Sequence, residues 1–260
     1  MKKILKKILP TFTHDYIKKI NYFIMRYDWF NALILSKKNL LKDEKIKVSI
    51  IIPSHTNIKY AKEAVISALN QTYKNTEVLI MTDMPELGLK EELSGFLDKI
   101  IFLSDPNIKM VDKFNFLAKK TTGDFIVLLC DDDKIDSRFI EKTLYILNKK
   151  KVDVVYTDTR QFGENKDYGY WKKWSAKNFL ETTPTPVTAL FKKKVWKEVG
   201  GYSGDTYFDW DFWWSAYKKG FKSYHLRQPL FFYRIHPNQD TNICDHKKLK
   251  EIILKKHTTI

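Results

Sequence analysis

The sequence has 260 residues, of which 43% are hydrophobic and 15% aromatic, and it carries a formal net charge of +15. This composition excludes a disordered chain and suffices for one substantial core, while no apolar run approaches the roughly 20 residues needed to cross a bilayer. The charge indicates an anionic partner, which could be nucleic acid, an acidic membrane surface or a phosphorylated substrate. The two cysteines, Cys130 and Cys244, show no metal-ligand or redox spacing, so free thiols in a reducing compartment are expected.

Residues 1–46 are rich in lysine and carry apolar residues at roughly helical spacing, which predicts one or more basic amphipathic helices. Two interpretations stay open: a helix packed on the main domain, or an interfacial helix on an anionic leaflet. No apolar h-region or cleavage site follows the basic start, so no signal peptide is predicted. The expected location is the cytoplasm, with possible peripheral contact on the inner face of the plasma membrane.

Strand and helix patterns alternate from Lys47 to Tyr156. The predicted strands cover 48–52, 77–81, 99–103, 125–130 and 152–156, and the predicted helices cover 60–69, 86–97, 111–120 and 138–150. Successive βα units of this length predict an α/β fold with a mostly parallel sheet, flanking helices and right-handed crossovers.

The most informative stretch is Gly123–Asp133, an apolar strand that ends in three consecutive aspartates. Adjacent carboxylates repel one another, and a divalent cation held with oxygen ligands beside a substrate phosphate offsets that cost. Ligands of open α/β sheets bind beyond the carboxyl ends of the strands, where Asp131, Asp132 and Asp133 would lie. The alternative is that these aspartates only cap the helix that follows.

The chain from about Asp158 is less regular and more aromatic. Strands are predicted over 184–192 and 229–235, and helices over 194–199 and 208–219. The last of these helices opens with Asp209-Trp210-Asp211. Acids are ordinary at a helix start, but apolar neighbours raise the pKa of a carboxylate and suit it to accept a proton. Asp209 and Asp211 are therefore candidate general bases.

A series of motifs occurs in the order found in family 2 glycosyltransferases of the GT-A fold. The motifs are Val48–His55, Ile66–Tyr73, Asp83, Gly123–Asp133, Val199–Tyr202, Asp209–Trp213 and Tyr233–His236. Residues 47–240 closely resemble that family. The resemblance implies transfer of a sugar from a nucleotide diphosphate donor, most simply a UDP-sugar, with inversion at the anomeric carbon. It also implies Mg²⁺ or Mn²⁺ as cofactor.

The resemblance assigns roles residue by residue. It implies that Asp83 hydrogen-bonds the base and that Asp131 lies near the ribose. The candidate nucleotide-binding residues are Pro53, Ser54, His55, Asp83, Lys113, Asp131 and Arg234. The metal ligand is Asp132 if the preceding glycine fixes the alignment and Asp133 if a literal D-x-D does, and His236 is a further candidate at the metal or the diphosphate. Asp209 occupies the position of the family's second acid and is preferred over Asp211 as the base.

Three positions depart from the family pattern. Phe208 stands where the second motif often has glutamate, so Asp209 would act alone or with Asp211. His55 replaces the usual tyrosine of the first strand motif, and Thr82 precedes Asp83 where many members have two acids. The departures affect donor identity more than the metal site.

The resemblance also divides the chain. We predict a basic helical extension over 1–46, a nucleotide-sugar-binding half over 47–157, an acceptor-binding and catalytic half of the same domain over 158–240, and a basic tail over 241–260. The expected partners are a nucleotide-sugar donor and a saccharide or lipid-linked glycan acceptor, in bacterial surface glycan assembly.

Other classes of protein fit the sequence less well. A nucleotidyltransferase needs a glycine-rich loop after the first strand, and residues 53–59 contain no glycine. Phosphate contacts by a nucleic-acid-binding protein would explain the charge, but no recognised binding motif is present and no nucleic-acid partner is expected. A catalytically inactive sugar-nucleotide binder stays open because of Phe208.

Overall fold

The computed structural model describes residues 35, 41, 45–204, 207–237, 239 and 245–258. The chain divides into a unit of residues 1–38 and a unit of residues 39–260, and nearly all of the described residues belong to the second. The helices predicted within residues 1–46 lie almost entirely outside the described residues. Among those that are described, no helix has the length and apolar character needed to cross a membrane.

The described residues contain one mixed sheet of nine strands. The strands are β1 Val48–Ser54, β2 Thr76–Thr82, β3 Ile101–Ser104, β4 Phe125–Leu128, β5 Lys134–Ile135, β6 Val154–Gly163, β7 Tyr168–Gly169, β8 Leu190–Lys192 and β9 Ser223–Ile235. Their order is β3-β2-β1-β4-β8-β6-β9-β5, with β7 paired to β6. Strands β1 to β4 are parallel to one another, β8 is antiparallel to β4 and β6, and β9 is parallel to β6.

Helices flank this sheet. They are α1 Ile58–Leu69, α2 Leu89–Glu92, α3 Met110–Lys120, α4 Phe139–Lys150, α5 Ala176–Glu181, α6 Lys193–Val199, α7 Phe208–Lys218 and α8 His246–Thr258. Two short 3-10 turns, Pro85–Leu87 and Ser94–Phe96, lie on either side of α2. The predicted α/β fold with flanking helices is confirmed. Its first four strands are parallel as expected, whereas β5, β7 and β8 pair antiparallel and make the sheet mixed.

The parallel strands place the ends of β1, β2 and β4 at one edge of the sheet. Ser54 of β1 is in register with Thr82 of β2, and Ile51 of β1 is in register with Leu128 of β4. Both β1 and β4 are buried along their whole length, as expected for central strands covered on both faces. The residues that follow these strands therefore meet at the carboxyl edge of the sheet, where ligands bind in this class of fold.

The second half of the chain is held by buried aromatic side chains around α7. The indole nitrogen of Trp210 donates to the Phe179 carbonyl over 3.0 Å, and that of Trp213 donates to the Pro186 carbonyl over 3.1 Å. Each buried ring thus satisfies its one polar atom while the rest of its surface fills the core. This packing fixes α7, whose first turn carries Asp209 and Asp211.

Several predicted elements differ from the observed ones. The helix predicted over 86–97 breaks into α2 and the two 3-10 turns, because Gly88 takes a φ of +80° that ends the first turn. The strand predicted over 184–192 is confined to β8, since Pro184 and Pro186 cannot donate to a ladder. The strand predicted over 229–235 begins earlier, at Ser223, and most of the predicted tail over 241–260 that is described forms α8.

Candidate active site

The end of β1 is tied to the acidic segment after β4. Ser54 Oγ donates to Asp131 Oδ2 over 2.9 Å, and the His55 backbone N–H donates to the same oxygen over 3.0 Å. Pro53 lies within β1 and is in register with Met81 of β2. Its fixed φ makes the backbone rigid directly before Ser54 and His55. Burial, together with the neighbouring charge of Asp132, raises the pKa of Asp131 to about 6.

The end of β2 carries Asp83, whose carboxylate contacts two basic side chains. Lys113 Nζ lies 2.8 Å from Asp83 Oδ1, and His55 Nδ1 lies 2.9 Å from the same oxygen. Burial would raise the pKa of Asp83, but the hydrogen bonds from Lys113 and His55 outweigh it and lower the pKa. Asp83 therefore stays charged and can accept hydrogen bonds from a ligand.

Lys113 is buried and contacts other residues of the protein. Its side chain is 0% exposed, and its ammonium also donates to the Ser54 carbonyl over 2.6 Å. The lysine thus joins α3 to the ends of β1 and β2. Its predicted direct contact with a nucleotide stays a prediction.

Asp132, Asp133 and Cys130 form a compact group of possible metal ligands. One ligand atom from each lies within 4.8 Å of the others. Asp133 is only 1% exposed, and its Oδ1 accepts the Arg234 backbone N–H over 2.9 Å. Its Oδ2 is buried without a hydrogen-bond partner. A buried carboxylate oxygen without a partner is costly, so the group fits a divalent cation that the aspartates would coordinate.

The ligand preference of hard cations favours the two carboxylates over the thiol. Burial, then the charges of Asp132 and Asp131, raise the pKa of Asp133 well above its usual range. Burial and the charges of the nearby aspartates also raise the pKa of the Cys130 thiol. A bound divalent cation would favour the ionised form of the carboxylates, and Mg²⁺ prefers oxygen to sulfur ligands. The candidate ligands are therefore Asp132 and Asp133, and both positions left open by the sequence belong to the cluster.

The end of β9 brings two further predicted residues to the cluster. His236 Nε2 lies 3.0 Å from Asp132 Oδ2, and Arg234 Nε donates to the Asp132 carbonyl over 2.7 Å. The Arg234 guanidinium also pairs with Glu63 Oε2 at 2.9 Å and lies 4.0 Å from the ring centre of Tyr60. Arg234 thus shapes the acidic segment, and its predicted contact with a nucleotide stays a prediction.

Asp209 lies in the first turn of α7, between Phe208 and Trp210. Burial raises the pKa of its carboxyl to about 6, although backbone N–H groups of Trp210 and Asp209 itself act in the opposite direction. None of the salt bridges found among the described residues involves this carboxylate. A carboxyl group with this pKa can accept a proton near neutral pH.

Asp211 has a different environment, although it lies on the same helix. Its carboxylate contacts His257 Nε2 at 2.7 Å, Lys256 Nζ at 2.8 Å and Ser203 Oγ at 2.6 Å. Burial would raise its pKa, but these three hydrogen bonds lower it to about 2. Such a carboxylate is a weak base, so the geometry favours Asp209 over Asp211 as the proton acceptor.

Phe208 fills a core position at the start of α7. Its ring lies 4.5 Å from the ring centre of Phe114 and 5.7 Å from that of Tyr202. The side chain that departs from the family pattern therefore packs against α3 and cannot supply a charge.

Asn115 fixes the backbone next to this contact. Its Oδ1 accepts the Tyr202 N–H over 2.8 Å and the Trp196 indole N–H over 3.0 Å, while its Nδ2 donates to the Tyr202 carbonyl over 2.8 Å. Gly201 has a φ of +86°, and a Cβ there would lie 2.5 Å from Asn115 Oδ1. Only glycine allows this approach. Tyr202 is thereby held rigidly beside α7.

Sequence reasoning missed four residues of this site: Tyr60, Glu63, Asn115 and His257. Tyr60 and Glu63 are three residues apart on a predicted helix and so lie on one face of it. This spacing is the only local sequence pattern that could have indicated them. The others make contacts across 87 and 46 residues of sequence, to Tyr202 and Asp211. No local pattern indicates such pairs.

Comparisons with known proteins identify the family and the fold of this chain. The family model described as Glycosyl transferase family 2 matches residues 49–208. An uncharacterized glycosyltransferase of Rickettsia typhi is 27% identical over 210 residues, which cover 75% of this chain and 66% of that protein. The chain thus spans just under two thirds of the length of this relative.

Two solved structures share the architecture. TarS of S. aureus, in complex with UDP-GlcNAc, superposes with a TM-score of 0.68 at 13% identity over 83% of this chain and 68% of that one. The mannosyltransferase PcManGT from Pyrobaculum calidifontis, in complex with GDP-Man and Mn²⁺, gives a TM-score of 0.57 at 14% identity over 88% and 68%. These similarities show that the chain has the GT-A fold.

Proposed function

Since the chain belongs to glycosyl transferase family 2, we propose that it is an inverting enzyme that moves a sugar from a UDP-sugar to an acceptor hydroxyl. The observation that carries this proposal is the presence of two acidic sites with different chemistry. One is the aspartate cluster after β4, with the unpartnered Asp133 Oδ2. The other is Asp209, whose pKa is raised to about 6.

We assign binding of the nucleotide to the residues at the ends of β1 and β2. Asp83, kept charged by Lys113 and His55, offers a carboxylate to the N–H groups of a base. The His55 ring is exposed on one side and can stack on the base. Asp131 holds the turn after β1 through Ser54, and we assign it to the ribose. The S. aureus structure in complex with UDP-GlcNAc supports a UDP-sugar donor.

A divalent cation, Mg²⁺ or Mn²⁺, would be held by Asp132 and Asp133, with His236 beside them. When bound, it would neutralise the charge of the diphosphate leaving group. Other residues of the chain orient the aspartates of this proposed metal site. The Arg234 backbone N–H holds the Asp133 carboxylate, and Arg234 Nε holds the Asp132 backbone carbonyl. His236 Nε2 contacts the Asp132 carboxylate, so both carboxylates are oriented before a ligand arrives. The P. calidifontis structure with Mn²⁺ supports the metal.

We assign deprotonation of the acceptor hydroxyl to Asp209 in α7. Inversion in one displacement needs a base on the face of the sugar opposite the leaving group. Asp209 would take the proton of the acceptor hydroxyl as its oxygen bonds to the anomeric carbon, and the bond from that carbon to the diphosphate breaks. Its raised pKa keeps the carboxyl basic enough to accept the proton near neutral pH.

The proposed acceptor is a saccharide or a lipid-linked glycan, in bacterial surface glycan assembly. Tyr170 is 39% exposed and Trp171 is half-buried beside it, in the segment after β7. Exposed aromatic faces of this kind can stack on the apolar face of a sugar ring. Peripheral contact of residues 1–46 with an anionic membrane would bring the enzyme to a lipid-linked acceptor.

One observation favours a second candidate, a sugar-nucleotide-binding protein without catalysis. Phe208 stands in the position that often carries an acid and is packed against Phe114 and Tyr202. Such a protein would bind the donor with metal but would not transfer the sugar.

The proposal is tested by offering a panel of nucleotide sugars with Mn²⁺ and a mixed glycan acceptor pool. We expect transfer from one UDP-sugar, with a product whose anomeric configuration, measured by NMR, is opposite to that of the donor. Retention of configuration would contradict inversion. Binding of a nucleotide sugar without any turnover would favour the second candidate, a sugar-nucleotide-binding protein without catalysis.

A further inference from the structure

The helix α8 contacts the chain on both sides of Asp209. The Tyr207 hydroxyl, two residues before Asp209, is hydrogen-bonded to His246 Nδ1 at one end of α8. Asp211 Oδ1, two residues after Asp209, lies 2.7 Å from His257 Nε2 at the other end. The match to the family model ends at residue 208, so α8 lies outside it.

The contact at Asp211 is a closed network. Lys256 Nζ donates to Asp211 Oδ2 over 2.8 Å and to Ser203 Oγ over 3.0 Å, and Ser203 Oγ donates to the same carboxylate oxygen over 2.6 Å. With His257 on Oδ1, both carboxylate oxygens have charged or polar partners. Asp211 is only 4% exposed, and its bond to His257 is buried, so this bond lies in a low-dielectric setting where hydrogen bonds are strong. The Lys256 side chain is half exposed at the edge of the network.

Further contacts fix α8 along α7. The His257 ring stacks on Trp214 with centres 4.5 Å apart and planes 6° apart, and Lys218 Nζ donates to the His257 carbonyl over 2.7 Å. Ile253, in the middle of α8, is buried in the core. The helix is therefore packed against the body of the domain at several points along its length.

The contact at Tyr207 holds an unusual backbone conformation. Tyr207 has a φ of +56° and a ψ of +28°, in the left-handed region that bulky residues rarely adopt. Its ring packs on His246 and on the edge of Trp210. Such conformations persist only where surrounding contacts impose them, and they cluster at functional sites. This one sets the direction in which the chain enters the first turn of α7.

We propose that α8 is a positioning element for the general base. His257 acts through Asp211 and His246 acts through Tyr207, and together they hold the first turn of α7 so that the Asp209 carboxylate keeps its place. The inference rests on the proposed function of Asp209. Aspartate has a short side chain, so its carboxylate follows the backbone, and a misplacement of 1 Å can cost about 10²-fold in rate. His257 and His246 are positioning residues, because their partners are Asp211 and Tyr207.

The test is the variant His257→Phe, which keeps a ring to stack on Trp214 and removes the bond to Asp211. We expect kcat for transfer to fall about tenfold while KM for the donor and the affinity for UDP stay at the wild-type values. His257→Gln can still donate to Asp211 and should recover most of the loss. Ile252→Ala, on the exposed side of the same helix, is the matched control and should leave kcat unchanged.

Two further measurements separate positioning from general damage. In the Asp209→Asn background, His257→Phe should cost less than about twofold, because a residue that acts through Asp209 has nothing left to position. Amide hydrogen exchange in 208–214 should be faster in His257→Phe, with no change in β1 or α3. If His257→Phe does not fold, His246→Phe tests the other end of α8 with the same expected loss of kcat.

The outcomes are distinct. If Asp209→Asn is slow and His257→Phe transfers sugar at the wild-type rate, the inference is wrong and the proposed function stands. Equal slowing in the wild-type and Asp209→Asn backgrounds, or a parallel loss of UDP affinity, would also overturn it. A wild-type chain that transfers no sugar from any donor would overturn the proposed function and the inference together.

Discussion

His236 Nε2 lies 3.0 Å from Asp132 Oδ2, although 104 residues separate the two in sequence. The contact joins the end of β9 to the acidic segment after β4. Because β9 is the strand next to the short β5, which follows that segment, the second half of the chain completes a site that the first half begins. The acidic cluster after β4 is therefore completed by residues from both halves of the chain.

The first prediction concerns the unpartnered oxygen of Asp133. Asp133→Asn should reduce the affinity for UDP in the presence of Mn²⁺ by tenfold or more, to the level measured with EDTA, because a neutral amide is a poor ligand for a hard cation. Isothermal titration calorimetry measures both values. Asp124→Asn, exposed at the opposite end of β4, is the control and should bind as the wild type does. Metal-dependent binding that survives in Asp133→Asn would remove Asp133 from the ligand set.

The second prediction is the pH dependence of transfer. Burial raises the pKa of Asp209 from 3.8 to about 6, and the base must be deprotonated to act. The rate should therefore be full above pH 7 and fall about tenfold per pH unit below 6, with only about 10% of the carboxyl ionised at pH 5. The measurement is kcat at saturating donor and metal, so that changes in donor binding do not enter. A rate that stays constant down to pH 4.5 would exclude a base with this pKa.

The third prediction is a stability effect at Tyr202. Its hydroxyl is buried without a hydrogen-bond partner, so Tyr202→Phe removes a desolvated polar group and should leave the free energy of unfolding unchanged or raise it by about 1 kcal/mol. Tyr73→Phe removes a hydroxyl that donates to the Ile46 carbonyl over 2.5 Å and should lower the free energy of unfolding by about 1 kcal/mol. Urea denaturation of both variants gives the comparison. A destabilised Tyr202→Phe would mean that the hydroxyl has a partner in solution.

The fourth prediction concerns Lys113. Replacing it with methionine removes the buried ammonium and leaves the partly exposed Asp83 carboxylate with His55 as its remaining partner. The free energy of unfolding should fall by about 1 to 3 kcal/mol. UDP affinity should fall as well, because Asp83 loses the contact that orients it. Lys109→Met, in the residue before α3, is a control for the loss of a lysine from the same region. Unchanged stability would show that water replaces the ammonium at no cost.

The fifth prediction tests residues 1–46. About 1 kcal/mol per basic residue near an anionic surface gives binding that salt weakens. The full chain should sediment with vesicles that contain anionic lipid, and a chain that starts at Lys45 should stay in solution. Equal behaviour of the two chains would assign the segment a structural role.

The sequence could predict those parts of the site that depend on one local pattern. The unalternating apolar run before Asp131 indicated a buried central strand, and a strand of that kind places its last residues at the ligand edge. The same reasoning located His55 and Asp83 after their strands. In each case the periodicity of a few residues was enough.

The rest depends on contacts between distant segments. Nothing near Arg234 indicates that its charge is paired with Glu63, or that its backbone N–H holds Asp133. By local pattern alone Asp209 and Asp211 look equivalent, and only the family resemblance preferred Asp209. The hydrogen bonds of Asp211 with His257 and Lys256 supply the physical reason, because they make it a charged, well-partnered carboxylate. Such distinctions come from burial and partners, which the sequence does not reveal locally.

The most direct test of the account is the transfer rate of Asp209→Asn, measured together with its affinity for UDP in the presence of Mn²⁺. Loss of a general base predicts a fall in kcat of about 10²- to 10⁴-fold with UDP affinity close to that of the wild type. Asp211→Asn should lose less. Normal transfer by Asp209→Asn, or a failure that follows from lost UDP binding, would contradict the assignment of Asp209 as the base.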